Sequence, residues 1–172
     1  HLRPLDRVIA ADWQTGVIRA EAGMTLDEVL RLAIPRGWFL PVTPGTKFAT
    51  LGGAIANDVH GKNHHVRGTF GCHVRRFGLV RSDRGRLELA PGDADGLFAA
   101  TVGGLGLTGV IDWAELQLMP IKSSLVDVVN IRFDSLDEFF ALSRELDGQH
   151  EYAVAWIDCA ARGASAGRGI YM

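Results

Sequence analysis

Cysteine is almost absent: Cys72 and Cys159 stand far apart and outside any CxxC spacing, so neither a disulfide framework nor a thiolate metal site is indicated, and both read as free thiols. Apolar runs long enough to cross a bilayer as a helix are missing too. Charge of one sign is equally scarce. Eighteen Lys and Arg against 20 Asp and Glu leave a net charge of −2, and no basic run exceeds two residues; such a chain has no field to gather nucleic acid or anionic lipid, and neither is an expected partner. The opening His1-Leu2-Arg3-Pro4 contains neither an initiating Met nor the apolar stretch of a leader, and reads as the continuation of a longer chain. Internal repeats and low-complexity tracts are absent.

Glycine, by contrast, is plentiful. The 21 glycines concentrate in Gly52-Gly53, in the Gly61/Gly68/Gly71 stretch and in Gly103-Gly104-Leu105-Gly106-Leu107-Thr108-Gly109; clusters of this kind let the backbone approach a bulky ligand, at an entropic cost on folding. With 47% apolar and 22% charged residues the rest of the composition is that of a folded globular chain.

The pattern predicts an α+β fold. Arg7 to Ala11 and Gly16 to Ala20 read as a hairpin. A helix with the capping box Thr25-Leu26-Asp27-Glu28 follows, ending at Pro35 and Gly37. Thr50 caps a second helix from Leu51 to about Val59. Val74 to Leu89 is a hairpin turning at Asp83-Arg84-Gly85, Asp95 to Thr101 a helix, and Gly109 to Met119 a strand. After a boundary at Pro120 to Ser124 the pattern restarts, with a strand Val126 to Phe133, a Ser135-capped helix to about Leu146 and a strand Tyr152 to Asp158. The tail from Ala160 to Met172 has no periodic face and is expected to be irregular.

Three stretches could carry chemistry. From Pro44 to His65 a loop leads into a helix that begins Leu51-Gly52-Gly53, where unpaired N–H groups with no Cβ in the way would suit a phosphate or the electron-rich edge of a flavin; the alternative is a helix start whose glycines only pack on a strand. His60, His64 and His65 lie within six residues, with His73 soon after. A metal site is weighed there and not adopted, since no thiolate or HExxH spacing accompanies the imidazoles. His64, His65 and His73 read as structural. His60 differs, because with Lys62 and Asn63 it puts an imidazole, an ammonium and an amide on one short loop, a set able to bind hydroxyls and steady alkoxide charge. The third stretch, Gly103 to Gly109, imitates a dinucleotide fingerprint but follows a helix and opens a strand, the reverse of a Rossmann site.

Together, Pro44-Gly45-Thr46, Thr50-Leu-Gly-Gly-Ala-Ile-Ala, Asp58-Val-His-Gly-Lys-Asn-His-His, Gly68-Thr-Phe-Gly and Ala100-Thr-Val-Gly-Gly-Leu-Gly-Leu-Thr-Gly resemble the vanillyl-alcohol-oxidase type of FAD-linked oxidases, with a PCMH-type FAD-binding domain. The resemblance implies that residues 1–121 form the C-terminal subdomain of the FAD-binding domain and 122–172 the first elements of an α+β substrate (cap) domain. It implies FAD held by Gly45, Thr46, Thr50, Leu51, Gly52, Gly53, Asn57, Asp58, Val59 and His60, with Ile111 touching the ring. His60 and Lys62 would border the substrate side as catalytic residues, taking hydride chemistry to a CH–OH group of a sugar or polyol. The family's glycine- and serine-rich pyrophosphate loop is not among these residues, so the chain alone is expected to hold FAD weakly or not at all. A catalytically incompetent flavin fragment or binding module is the alternative, and uncovered apolar surface would favour a homo-oligomer.

Overall fold

The computed structural model describes residues 2–172, and the chain divides into two compact units, His1–Gly61 with Arg67–Ser124, and Lys62–Val66 with Leu125–Met172. His1 lies outside the described residues. In the first unit β1 (Val8–Asp12) and β2 (Val17–Glu21) form the expected hairpin, followed by α1 (Leu26–Ala33), the short β3 (Trp38–Phe39) and α2 (Leu51–Ala56). The turn α3 (His64–Arg67), whose first three residues fall in the second unit, comes next in the chain, and the first unit resumes with β4 (Val74–Arg81), β5 (Gly85–Leu89), α4 (Leu97–Thr101), β6 (Val110–Gln117) and β7 (Met119–Pro120). An antiparallel sheet in the order β1-β2-β6-β4-β5 carries the unit.

Alternation along these strands sends Ile18, Ala20, Phe77, Leu79, Ala114 and Leu116 to one face, where they meet Leu26 and Val29 of α1, Leu51 and Ile55 of α2 and Phe98 of α4. Each fully buried Leu, Ile or Phe contributes about 1.5–3 kcal/mol, and that is what clamps the six-residue α2, too short to persist by itself, onto the sheet. The other face is ionic. Glu115 accepts from Arg19 at 3.1 Å and from Arg76 at 3.0 Å across three neighbouring strands. Burial pushes the Glu115 carboxyl up, but the bonds from Arg76 and Arg19 outweigh it and leave the group below its ordinary range.

The capping box of α1 forms as expected, and Arg3 adds bonds of 3.0 and 3.2 Å to Glu28. These, then the bonds from Thr25, hold the Glu28 carboxyl down to about 2 from 4.5. A depressed carboxyl contributes stability that is complete above the unfolded value and is lost as pH falls. Acid titration of thermal stability should therefore show a loss between pH 4.5 and about 2 that Glu28→Gln diminishes; an identical acid limb in the variant would contradict this.

In the second unit β8 (Ile131–Phe133), β9 (Ala155–Ile157) and β10 (Gly169–Tyr171) form a sheet ordered β8-β10-β9, backed by α5 (Leu136–Leu146), which Ser135 caps through the Glu138 amide. Two expectations are corrected here. The tail is irregular only as far as Arg168: beyond it β10 is the central strand, and Gly169 is required because a Cβ there would run into the Trp156 carbonyl and the Phe133 ring. Three residues are too few to show a period, which is why the sequence hid them. The strand expected from Val126 shrinks to Ile131–Phe133, and Val126, Val128 and Val129 stay exposed despite their β-branched side chains. β propensity is a packing preference, and here it goes unused. Among the described residues no helix is long and apolar enough to cross a membrane.

Candidate functional site

α2 is where the glycine-rich segments meet. Thr50 caps it, its hydroxyl accepting from the Gly53 amide at 3.2 Å, and the bridge between Thr25 and Thr50 draws the helix start against the turn leading into α1. As a result the Leu51 amide donates to Met24 O at 2.8 Å, that of Gly52 to Ala22 O at 2.9 Å and that of Ala54 to Thr50 O at 2.8 Å. The expectation of unpaired N–H groups at this helix start is thus overturned: the amides are turned into the protein, and α2 offers no phosphate cradle. Gly52 is needed for packing, since a Cβ would sit 3.1 Å from that of Ala22 and 3.8 Å from the Ile111 carbonyl.

At the other end of α2 the second glycine cluster docks. Gly103 N donates to Ile55 O at 3.0 Å and Leu105 N to Ala56 O at 2.8 Å, so the turn between α4 and β6 caps the carbonyl end of the helix. Gly103 and Gly106 take positive φ, and Leu105 adopts φ 53, unusual for a residue with a Cβ. Leu105 and Leu107 are 69% and 89% exposed, and at the opposite end of α2, about 9 Å away along six residues, Phe48 is 72% exposed in the Gly45–Phe48 loop.

The expected site residues fall into distinct settings. Gly45 and Thr46 lie in the exposed loop, Gly45 with nothing near a would-be Cβ, and the Thr46 hydroxyl accepts from Phe48 N at 3.2 Å. Leu51 is fully buried, and Ile111, 5% exposed, commits its side chain to the core, leaving its main chain beside Gly52. Asn57 is exposed, with Nδ2 donating to Gly53 O at 2.8 Å. Val59 packs on the core while its carbonyl accepts from Phe70 N at 2.9 Å. Exposed His60 bridges Thr69 in antiparallel fashion. Asp58 does most structurally: at φ 42 it ends α2 and accepts the Gly71 amide through Oδ1 at 2.9 Å.

Exposed Lys62 belongs to the second unit. Its carbonyl accepts from Ala153 N at 2.9 Å, Asn63 Nδ2 donates to Glu151 Oε1 at 3.0 Å, and His65 Nε2 lies 3.3 Å from His150 O. His64 and His65 line a recess with Asp147 and Tyr171. Burial raises the Asp147 carboxyl, but the bonds from Ser143 and Tyr171, with His65 and His64 adding attraction, set it below its ordinary value. Tyr171, donating to Asp147 at 2.6 Å, is pushed up to about 12 by burial and by that carboxylate. Among the described residues no group of three His, Cys, Asp or Glu side chains could hold a metal ion. The roles of Asp58, Asn63 and Glu151 as fasteners had no sequence signal beyond the tolerance of Asp and Asn for turns.

Fold and face define a class: an α+β cofactor-binding unit, with the Gly45 loop leading into one short helix, the glycine-rich turn 103–109 at its other end, and no Rossmann strand-to-helix turn among the described residues. Residues 1–90, just over half of the chain, match the family described as FAD binding domain, and the chain belongs to that family, whose cofactor is FAD. The open space where a Cβ would stand at Gly45 and at Gly106, next to exposed Phe48, Leu105 and Leu107, fits the flat apolar ring of that cofactor; the paired amides of α2 do not fit its phosphates. The chain is 44% identical over 146 residues to an uncharacterized protein in the mprA 5′ region of Streptomyces coelicolor, covering 85% of this chain and 39% of that one. It is 38% identical over 166 residues to decaprenylphosphoryl-beta-D-ribose oxidase of Mycolicibacterium smegmatis, 95% of this chain and 36% of the relative. An alkyldihydroxyacetonephosphate synthase structure shares the fold with a TM-score of 0.77 at 19% identity, over 90% of this chain and 29% of that one. The chain therefore spans less than two-fifths of the length of these curated relatives.

Proposed function

We propose that the chain supplies the ring-facing part of an FAD-dependent oxidoreductase that oxidises a CH–OH group of a sugar or polyol-like substrate. The observation that carries this is the docking of the Gly103–Gly109 turn on the carbonyl end of α2, which sets that turn and the Gly45–Phe48 loop at the two ends of one helix, with exposed His60 four residues beyond it. Support for a sugar comes from the relative whose name makes it a ribose oxidase.

FAD, when bound, supplies the two-electron acceptor for the hydride that leaves the carbinol carbon. Gly45, Thr46, Thr50 and Gly53 would hold it at the start of α2, Asn57 to His60 at the end, and Leu51, Gly52 and Ile111 would contribute through the backbone they set. The His60 imidazole takes the hydroxyl proton as the carbonyl forms, and the Lys62 ammonium offsets negative charge on that oxygen; neither group gains or loses electrons. Residues 1–121 act in this reading as the flavin subdomain and 122–172 as the beginning of the substrate domain.

Anaerobic addition of sugar alcohols and aldoses to the FAD-loaded protein should bleach the oxidised flavin band with at least one of them, with one carbonyl formed per flavin reduced. The alternative, a flavin-holding module without chemistry, predicts an unchanged flavin spectrum with every polyol.

A further inference from the structure

We infer that Asn63 is a positioning residue for the Lys62 ammonium, acting through a part-buried bond to Glu151. Asn63 is fully buried although it stands in a loop between exposed Lys62 and exposed His64. A buried amide costs stability unless it is hydrogen-bonded, and Nδ2 of Asn63 meets part of that need by donating to Glu151 Oε1 at 3.0 Å. The carboxylate makes this a charge-assisted bond, stronger than one between neutral groups. The same side chain lies between two further fasteners: Lys62 O accepts from Ala153 N at 2.9 Å, and the Asn63 carbonyl accepts from Val66 N at 3.0 Å to start α3. Residues 62 and 63 are thus tied side by side to the loop segment Glu151–Ala153 that leads into β9, with the backbone held at Lys62 and its side chain left in solvent. Lysine spends much rotamer entropy when its ammonium is placed. Fixing the Cα from which the side chain departs is the one economy this loop offers, and it comes from the neighbour's amide rather than from any contact with the charge.

The inference rests on the reading that Lys62 serves the substrate. In the FAD-loaded protein, Asn63→Ala should lower turnover about tenfold with FAD content unchanged, the scale on which small misplacements act. Glu151→Gln keeps an oxygen acceptor and should stay within about twofold, whereas Glu151→Ala breaks the bond from its other end and should match Asn63→Ala, which also serves if Asn63→Ala fails to fold. In a Lys62→Ala background Asn63→Ala should cost no more than about twofold further, because it acts through the missing ammonium. Independently of activity, hydrogen exchange at the Ala153 amide should quicken about tenfold in Asn63→Ala while Leu79 and Ala114 in the other unit keep their protection. A tenfold loss that persists in the Lys62→Ala background, or unaltered Ala153 exchange, overturns the positioning role. Full turnover in Lys62→Ala overturns the functional reading of Lys62 and this inference with it, and is told apart because the Ala153 amide would still be released by Asn63→Ala.

Discussion

Replacing His60 by Ala should lower turnover of the FAD-loaded protein by about 10²–10⁴-fold, the range general acid–base groups supply, while flavin content per chain stays the same. In the proposed reading the backbone of His60 serves the fold and its imidazole the chemistry. Its antiparallel bridge to Thr69 is independent of the ring, and the side chain is exposed. The neighbouring structure is fixed by other groups: Val59 O accepts from Phe70 N at 2.9 Å, and Asp58 holds the Gly71 amide. Removing the imidazole takes away the proposed proton acceptor while these bonds of Val59 and Asp58 remain. Measuring flavin reduction by stopped flow, together with bound flavin per chain by absorbance, decides the matter. Flavin lost in proportion to turnover would make His60 a cofactor ligand only, and unchanged turnover would remove it from the reaction.

Asp58→Ala should destabilise the first unit by about 2–4 kcal/mol in urea unfolding, from two causes that add. The charge-assisted bond to Gly71 N is worth about 1.5–3 kcal/mol, and the amide left behind in a part-buried setting has no substitute acceptor from alanine. The backbone at φ 42 adds about 1 kcal/mol more, since Asp visits the left-handed region with local help that alanine lacks. Asp58→Asn keeps both an acceptor and that tolerance, and should lose less than about 1 kcal/mol. The site also leaves little slack, because a Cβ on Gly71 would press on Val102 and reach Asp58 Oδ1 at 2.9 Å, while one on Gly103 would lie 3.4 Å from the Asp58 Cβ. Asp58 therefore ties the end of α2 to the 68–73 loop and to the glycine-rich turn. Equal losses for Asn and Ala would mean that the backbone, and not the bond, carries the effect.

The contrast between what was legible and what was not follows from the range of the interactions. The hairpin β1–β2, the capping box at Thr25 and the β4–β5 hairpin are local: each is specified by residues within ten or so positions, and each formed where the pattern put it. The reversed order of the Gly103–Gly109 cluster, helix before and strand after, was also local and correct. What failed depended on distant partners. The amides of Leu51 and Gly52 look unpaired from their own sequence, and only the turn 22–24, brought in by the Thr25–Thr50 bridge, reveals where they go. β10 is three residues long and acquires its identity from β8 and β9 on either side. The packing of Lys62–Val66 with the second unit had no local sign at all, since Asn63 reads as an ordinary loop residue until Glu151 is placed beside it.

The inward amides of α2 sharpen one expectation: without a phosphate-gripping helix start, the chain should hold FAD weakly, through the ring face alone. Titrating FAD into the isotopically labelled chain while recording amide ¹H–¹⁵N spectra tests this most directly. The account predicts fast-exchange shifts confined to Gly45–Phe48, Asn57–His60 and Gly103–Leu107, with Leu51, Gly52 and Ala54 keeping their exchange protection throughout. Shifts centred on the sheet of the second unit, or none at the two glycine-rich loops at any FAD concentration, would contradict it.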